Sequence, residues 1–249
     1  MSGHSKWSQI KRQKGATDAQ RGQLFTKLAK EIIIAAKQGG PDPNANFRLR
    51  LAVQKAKESN MPHDNIDRAI KRATGGGEGA ELTEVTYEGF GPAGTAVIVE
   101  AATDNRNRTV AEVRNVFTRS GGNLGENGSV SWNFEQRGVI SIARNGMDAD
   151  EIMMQAIDAG AEDVQVGGET VDVYTQPAEL EKVKKALEDG GVSVSSAEST
   201  RVPKTTVQLD ERDAIQTLRL VEKLEALDDV QKVYFNAEFS DDVLASYSS

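Results

Sequence analysis

Residues able to do covalent or metal chemistry are scarce in this chain. His4 and His63 are its only imidazoles, and it has no cysteine. Two distant histidines with no thiolate beside them make a poor transition-metal ligand set. The lack of cysteine also removes disulfides and thiol catalysis. No serine sits in a G-x-S-x-G frame, and no G-x-x-x-x-G-K-[ST] loop is present to cradle a triphosphate. Asp148, Asp150 and Glu151 gather where a helix should begin; there they complement the helix dipole and need no acid–base role. No catalytic residue, cofactor or metal site is therefore expected, and the chain reads as a non-enzyme.

What remains is the chemistry of cations and flat rings. Residues 1–80 carry 15 Lys and Arg against 7 Asp and Glu, whereas residues 81–249 carry 15 against 31, so the net charge of −8 hides a basic head on an acidic body. That asymmetry points to a polyanion held by the head. The candidate nucleic-acid contacts are Lys6, Lys11, Arg12, Lys14, Arg21, Lys27, Lys30, Arg48 and Arg50, which reach phosphates and position without reading sequence. Trp7, among the first of them, either stacks on an unpaired base or anchors the basic arm to the head. A second candidate is the turn Asn105, Arg106, Asn107 and Arg108, which joins a strand to a helix. It reads either as a phosphate or partner contact at a helix N-terminus or as a capped turn with solvated arginines.

Three helices should carry the head. Phe25, Leu28, Ala29, Ile32 and Ala36 recur at three and four residues, which predicts a helix over about 19–38, ended by Gly39-Gly40-Pro41. Asp42 as cap and Pro43 at the first helical position predict the start of the second. The third follows Pro62, with Ile66, Ala69 and Ile70 inward, and stops at the linker Gly75-Gly76-Gly77. The apolar run Ile32–Ala36 falls far short of the roughly 20 residues that span a bilayer, so a soluble, cytoplasmic protein is expected.

The body reads as two βαββαβ units, one inside the other. Residues 85–90 suggest a leading strand. Strand 95–102, a helix capped by Asp104 or Asn105 and strand 129–134 supply half of one unit; strand 204–209, helix 211–226 and strand 230–235 supply the rest. Between them, strands 138–143, 163–166, 170–175 and 192–200 alternate with helices 149–159 and 177–189 in ferredoxin-like order. The expected class is α+β, with a helical domain over 1–78, a split α/β domain over 79–136 and 202–240, and an inserted one over 137–201. The Gly121–Gly128 stretch reads as a flexible loop or as one that approaches a partner's backbone closely. Residues 241–249 are expected to fray.

Several blocks carry a resemblance. Gly3-His4-Ser5-Lys6-Trp7, Ile10-Lys11, Lys14-Gly15-Ala16, Arg21-Gly22 and Phe25-Thr26-Lys27-Leu28 resemble the YebC family. So do Asn46–Arg50, Asn60-Met61-Pro62, Ile66–Lys71, Tyr87-Glu88-Gly89, Thr103-Asp104-Asn105, Asn107-Arg108-Thr109 and the stretch Gly121–Trp132. The resemblance covers nearly the whole chain. It implies a helical head, two α/β domains and no catalysis. The family's members are similar in name to probable transcriptional regulators and to a mitochondrial translational activator. Two nucleic-acid roles are thereby implied: a DNA-binding transcriptional regulator, or a ribosome-associated translation factor that binds ribosomal RNA and eases translation of proline-rich stretches. A protein-interaction module is the alternative of a different class. Oligomeric state is not encoded in any of these patterns.

Overall fold

The computed structural model describes residues 18–75, 81–168 and 170–248. They divide into two compact units, residues 134–204 and the remainder. Among the described residues, no helix is long and apolar enough to cross a membrane.

The head consists of α1 (Asp18–Gly39), α2 (Phe47–Glu58) and α3 (His63–Ala73). Leu28, Ile32 and Ala36 of α1 close on Leu49, Ala52 and Ala56 of α2 and on Ile66 and Ala69 of α3, so the three- and four-residue spacing does become the core. The second helix begins later than Asp42 and Pro43 suggest. Asp42 instead organises a turn, accepting from the Asn44 amide at 2.9 Å. The helix is capped by Asn46, whose side chain accepts from the Leu49 amide and donates to the carbonyls of Ala35 and Gly40, each of the latter at 2.8 Å. This buried amide ties the end of α1 to the start of α2. It also explains Gly39, where a Cβ would lie 2.7 Å from the Asn46 side-chain carbon.

The split domain is built on β1 (Thr83–Phe90), β2 (Ala96–Thr103), α4 (Arg106–Arg119) and β3 (Asn123–Leu124). Its sheet runs β3, β1, β2 and then the later strand at Val230–Phe235, all antiparallel. The connectivity differs from the sequence reading. The leading strand, not residues 204–209, pairs beside β2, because the short Gly91–Gly94 turn lets β1 pair with β2 along its whole length. Residues 129–133 are not a strand. They form a loop and a 3-10 turn at Ser131–Asn133, since the amides of Val130 and Ser131 are taken by the Glu88 carboxylate and cannot join a ladder.

The compact unit of residues 134–204 follows as β4 (Phe134–Ala143), α5 (Ala149–Ala159), β5 (Asp163–Val166), β6 (Thr170–Thr175), α6 (Leu180–Asp189) and β7 (Val194–Pro203). Its sheet order, β5-β6-β4-β7 with antiparallel neighbours, is ferredoxin-like as expected.

The chain then returns through β8 (Val207–Gln208), α7 (Glu211–Glu225), β9 (Val230–Phe235), β10 (Ala237–Glu238) and α8 (Asp241–Ser248). Instead of a full strand over 204–209, only β8 forms, in a short parallel pair with β10. The expected frayed tail is a helix. Val243 and Leu244 are buried in the sheet's core, and the Tyr247 hydroxyl donates to Glu222 at 2.7 Å.

Candidate nucleic-acid interface

The head's cations fall into two groups. One group faces the split domain. The ammonium of Lys27 donates to the Glu225 carbonyl, and that of Lys30 to the Asp228 carbonyl at 3.0 Å and to Asp229 at 2.6 Å. Lys37 pairs with Glu81 at 2.9 Å and Arg48 with Glu84 at 2.6 Å. Gln23 and Gln38 add hydrogen bonds to Asp228 and Glu84. Lys27, Lys30 and Arg48, all candidate nucleic-acid contacts from the sequence, therefore each have a partner within the fold. One side of the helical stripe is charge-matched to the loop between α7 and β9 and to the segment that leads into and begins β1. Arg50 is also engaged: its guanidinium donates to the carbonyls of Pro43 and Asn44 and lies 5.3 Å over the Phe47 ring.

Asp229 is the centre of this joint. Its side chain is 5% exposed and accepts from Lys30, from Arg108 at 2.8 Å, from Thr109 at 2.7 Å and from Thr103 at 3.0 Å. Burial alone would raise its pKa. The hydrogen bonds from Arg108, Lys30 and Thr109 outweigh that penalty and hold the carboxyl well below the usual carboxylate range. The same contacts run through the second candidate site. Arg108 bridges Asp229 and Asp104, Asn105 caps α4 by accepting from the Arg108 amide, and Arg106 reaches Thr83 at 3.4 Å. Of the Asn105–Arg108 turn, Asn107 alone is exposed with no side-chain partner among the described residues. The turn caps α4, and Arg108 within it is ion-paired to both Asp104 and Asp229.

The second group of cations is turned outward. Lys57 on α2 and Arg68, Lys71 and Arg72 on α3 are exposed, and none has a side-chain ion pair or hydrogen bond among the described residues. The three on α3 collect toward its C-terminal end, opposite the buried Ile66 and Ala69, while Asp64 and Asp67 occupy its first half. That polarity suits the helix dipole. The sequence reading did not single out these four cations. Arg21 is exposed on α1. Lys6, Trp7, Lys11, Arg12 and Lys14 lie outside the described residues.

One further feature escaped the sequence reading. Glu88, 6% exposed, accepts from the amides of Gly128, Val130 and Ser131, each at 2.8 Å. Burial works to raise its pKa, and these backbone donors reverse the shift to a net lowering. The Gly125 amide in turn donates to the Glu88 carbonyl at 2.8 Å. The glycine-rich stretch is thus pinned, and the backbone it approaches is its own: a Cβ on Gly89 would sit 2.7 Å from the Asn123 carbonyl oxygen. At the end of the pinned loop Trp132 stands 68% exposed, its indole N–H bonded to the Ser129 carbonyl at 3.0 Å. The signal for Glu88 was the Tyr87-Glu88-Gly89 block; nothing local tied it to a loop forty residues onward.

Comparison with known proteins agrees along the length of the chain. Residues 5–76 match the family described as "TACO1/YebC protein N-terminal domain", and residues 82–237 match "TACO1/YebC second and third domain". A "Probable transcriptional regulatory protein" of Dehalococcoides mccartyi is 56% identical over 249 residues, covering 100% of this chain and 99% of that protein. One of Chloroflexus aurantiacus is 54% identical over 252 residues, covering both chains fully. The crystal structure of a conserved hypothetical protein from Aquifex aeolicus is similar with a TM-score of 0.83 and 51% identity, over 90% of this chain and 93% of that one.

Proposed function

We propose that this chain, which belongs to the TACO1/YebC family, is a non-catalytic regulator of gene expression that holds nucleic acid through its basic head. The observation that supports this most is the division of the head's cations. Lys27, Lys30, Lys37 and Arg48 lock the head to the split domain, while Lys57, Arg68, Lys71 and Arg72 are left to solvent. With Lys6, Lys11, Arg12, Lys14 and Arg21 they supply enough positive charge for several phosphate contacts. Phosphate contacts fix orientation and carry little sequence information. Recognition through Lys57, Arg68, Lys71 and Arg72 would rest on charge and on the shape of the backbone they grip.

The names of the relatives make DNA at promoters the first target to test, in the cytoplasm of a bacterial cell. A second reading has its own support. Residues 81–249 carry 31 acidic against 15 basic residues, a body that a long duplex would repel. A ribosomal crevice, with RNA on one side and protein on the other, accommodates such a molecule, and the regulator would then act in translation. In-cell crosslinking of the full chain, with sequencing of both DNA and RNA, separates the two. Discrete promoter peaks support the first reading and ribosomal RNA peaks the second. Substituting Lys11, Arg12 and Lys14 together by Glu should abolish either signal; its survival would refute the assignment of these three residues.

A further inference from the structure

We propose that Trp132 is a stacking platform for an unpaired nucleobase, a contact separate from the head's phosphate contacts and resting on the nucleic-acid reading above. Four observations lead there. Trp132 leaves 68% of its surface in water, which forgoes the burial that a large aromatic normally gains. Its mount is rigid: Val130 and Asn133 on either side are buried, and Asn133 is clasped by Thr205, whose amide and hydroxyl both donate to the Asn133 side chain. The loop behind it is held by three amides on a buried carboxylate that has no cationic partner among the described residues. Finally, the indole N–H is already bonded to Ser129.

What the residue offers outward is therefore a fixed π-face with its polar handle spent. Such a face selects for flatness and polarisability, and it tolerates any base, because every base has a π-surface. Bases stacked within a duplex do not expose that surface. The ligand class is an unpaired base in a single strand, loop or bulge.

The test uses the full chain with Trp7 changed to Phe, so that emission reports Trp132 alone. A short single-stranded oligonucleotide of mixed sequence should quench it, and the same sequence as duplex should not. Trp132→Ala should weaken single-strand binding roughly 5- to 150-fold, the range for one lost base stack. Trp132→Tyr should retain most of the affinity. The salt slope should not change in either variant, because no phosphate contact is removed. Unaltered single-strand affinity in Trp132→Ala, with salt-dependent binding intact, overturns this inference and leaves the role of the head standing. Equal quenching by strand and duplex also overturns it. Absence of salt-dependent binding in the parent chain overturns both.

Discussion

Replacing Asp229 by Asn tests the joint on which the reading of the head depends. The substitution keeps shape and volume and removes one buried negative charge. Lys30, with a side chain 16% exposed, then faces a neutral amide. It keeps the Asp228 carbonyl, and Arg108 keeps Asp104, so neither cation is stranded completely. Breaking a buried pair by removing one partner costs about 3–5 kcal/mol, and the surviving contacts put this case near the lower end, about 3 kcal/mol. For a unit of this size that is a fall of roughly 6–12 °C in melting temperature. The assay is thermal and urea unfolding of the full chain, with Lys30→Met and the double variant completing a cycle. Removing Lys30 from the Asp229→Asn background also removes the unpaired cation, so the two losses should be non-additive by about 1–3 kcal/mol. A loss below about 0.5 kcal/mol for Asp229→Asn, or strict additivity, would refute the claim that Asp229 anchors the head.

Other expectations follow from the same geometry. Asp229 is held below its unfolded value, so its contribution is complete above the unfolded pKa of about 3.9 and is lost as pH falls toward the folded value. The stability gap between wild type and Asp229→Asn should thus be constant from neutral to about pH 5 and close below about pH 4; a gap that widens in acid contradicts the assignment. Glu88→Gln turns an amide donor toward buried N–H groups and should cost about 1–3 kcal/mol. Hydrogen exchange should then show faster exchange at Gly128, Val130 and Ser131, and unchanged protection there would mean that the carboxylate does not hold the loop.

The parts of this fold that were legible in the sequence are those that local rules decide. The helices of the head follow from apolar spacing and from breakers such as Gly39-Gly40-Pro41. The unit of residues 134–204 follows from its alternation of short β-branched runs and capped helices. What was not legible depends on partners far away in sequence. Residues 129–134 alternate like a strand, and only Glu88 diverts their amides. Lys27 and Lys30 look like phosphate ligands, and only an aspartate 199 positions beyond Lys30 turns that charge inward. The 241–248 segment has helical content that becomes ordered because Val243 and Leu244 find the sheet's core. Long-range polar partners, more than hydrophobic pattern, decided which cations remain for a ligand.

The most direct measurement of the central claim is the salt dependence of nucleic-acid binding by the intact chain. With about six phosphates neutralised by the head, the log–log slope of affinity against salt should be near −5 on B-DNA, and shallower on a single strand. Replacing Arg68, Lys71 and Arg72 by Gln should flatten it by up to about 3 units. A slope near zero, or one that these replacements leave unchanged, would contradict the account of the outward cations as the polyanion grip.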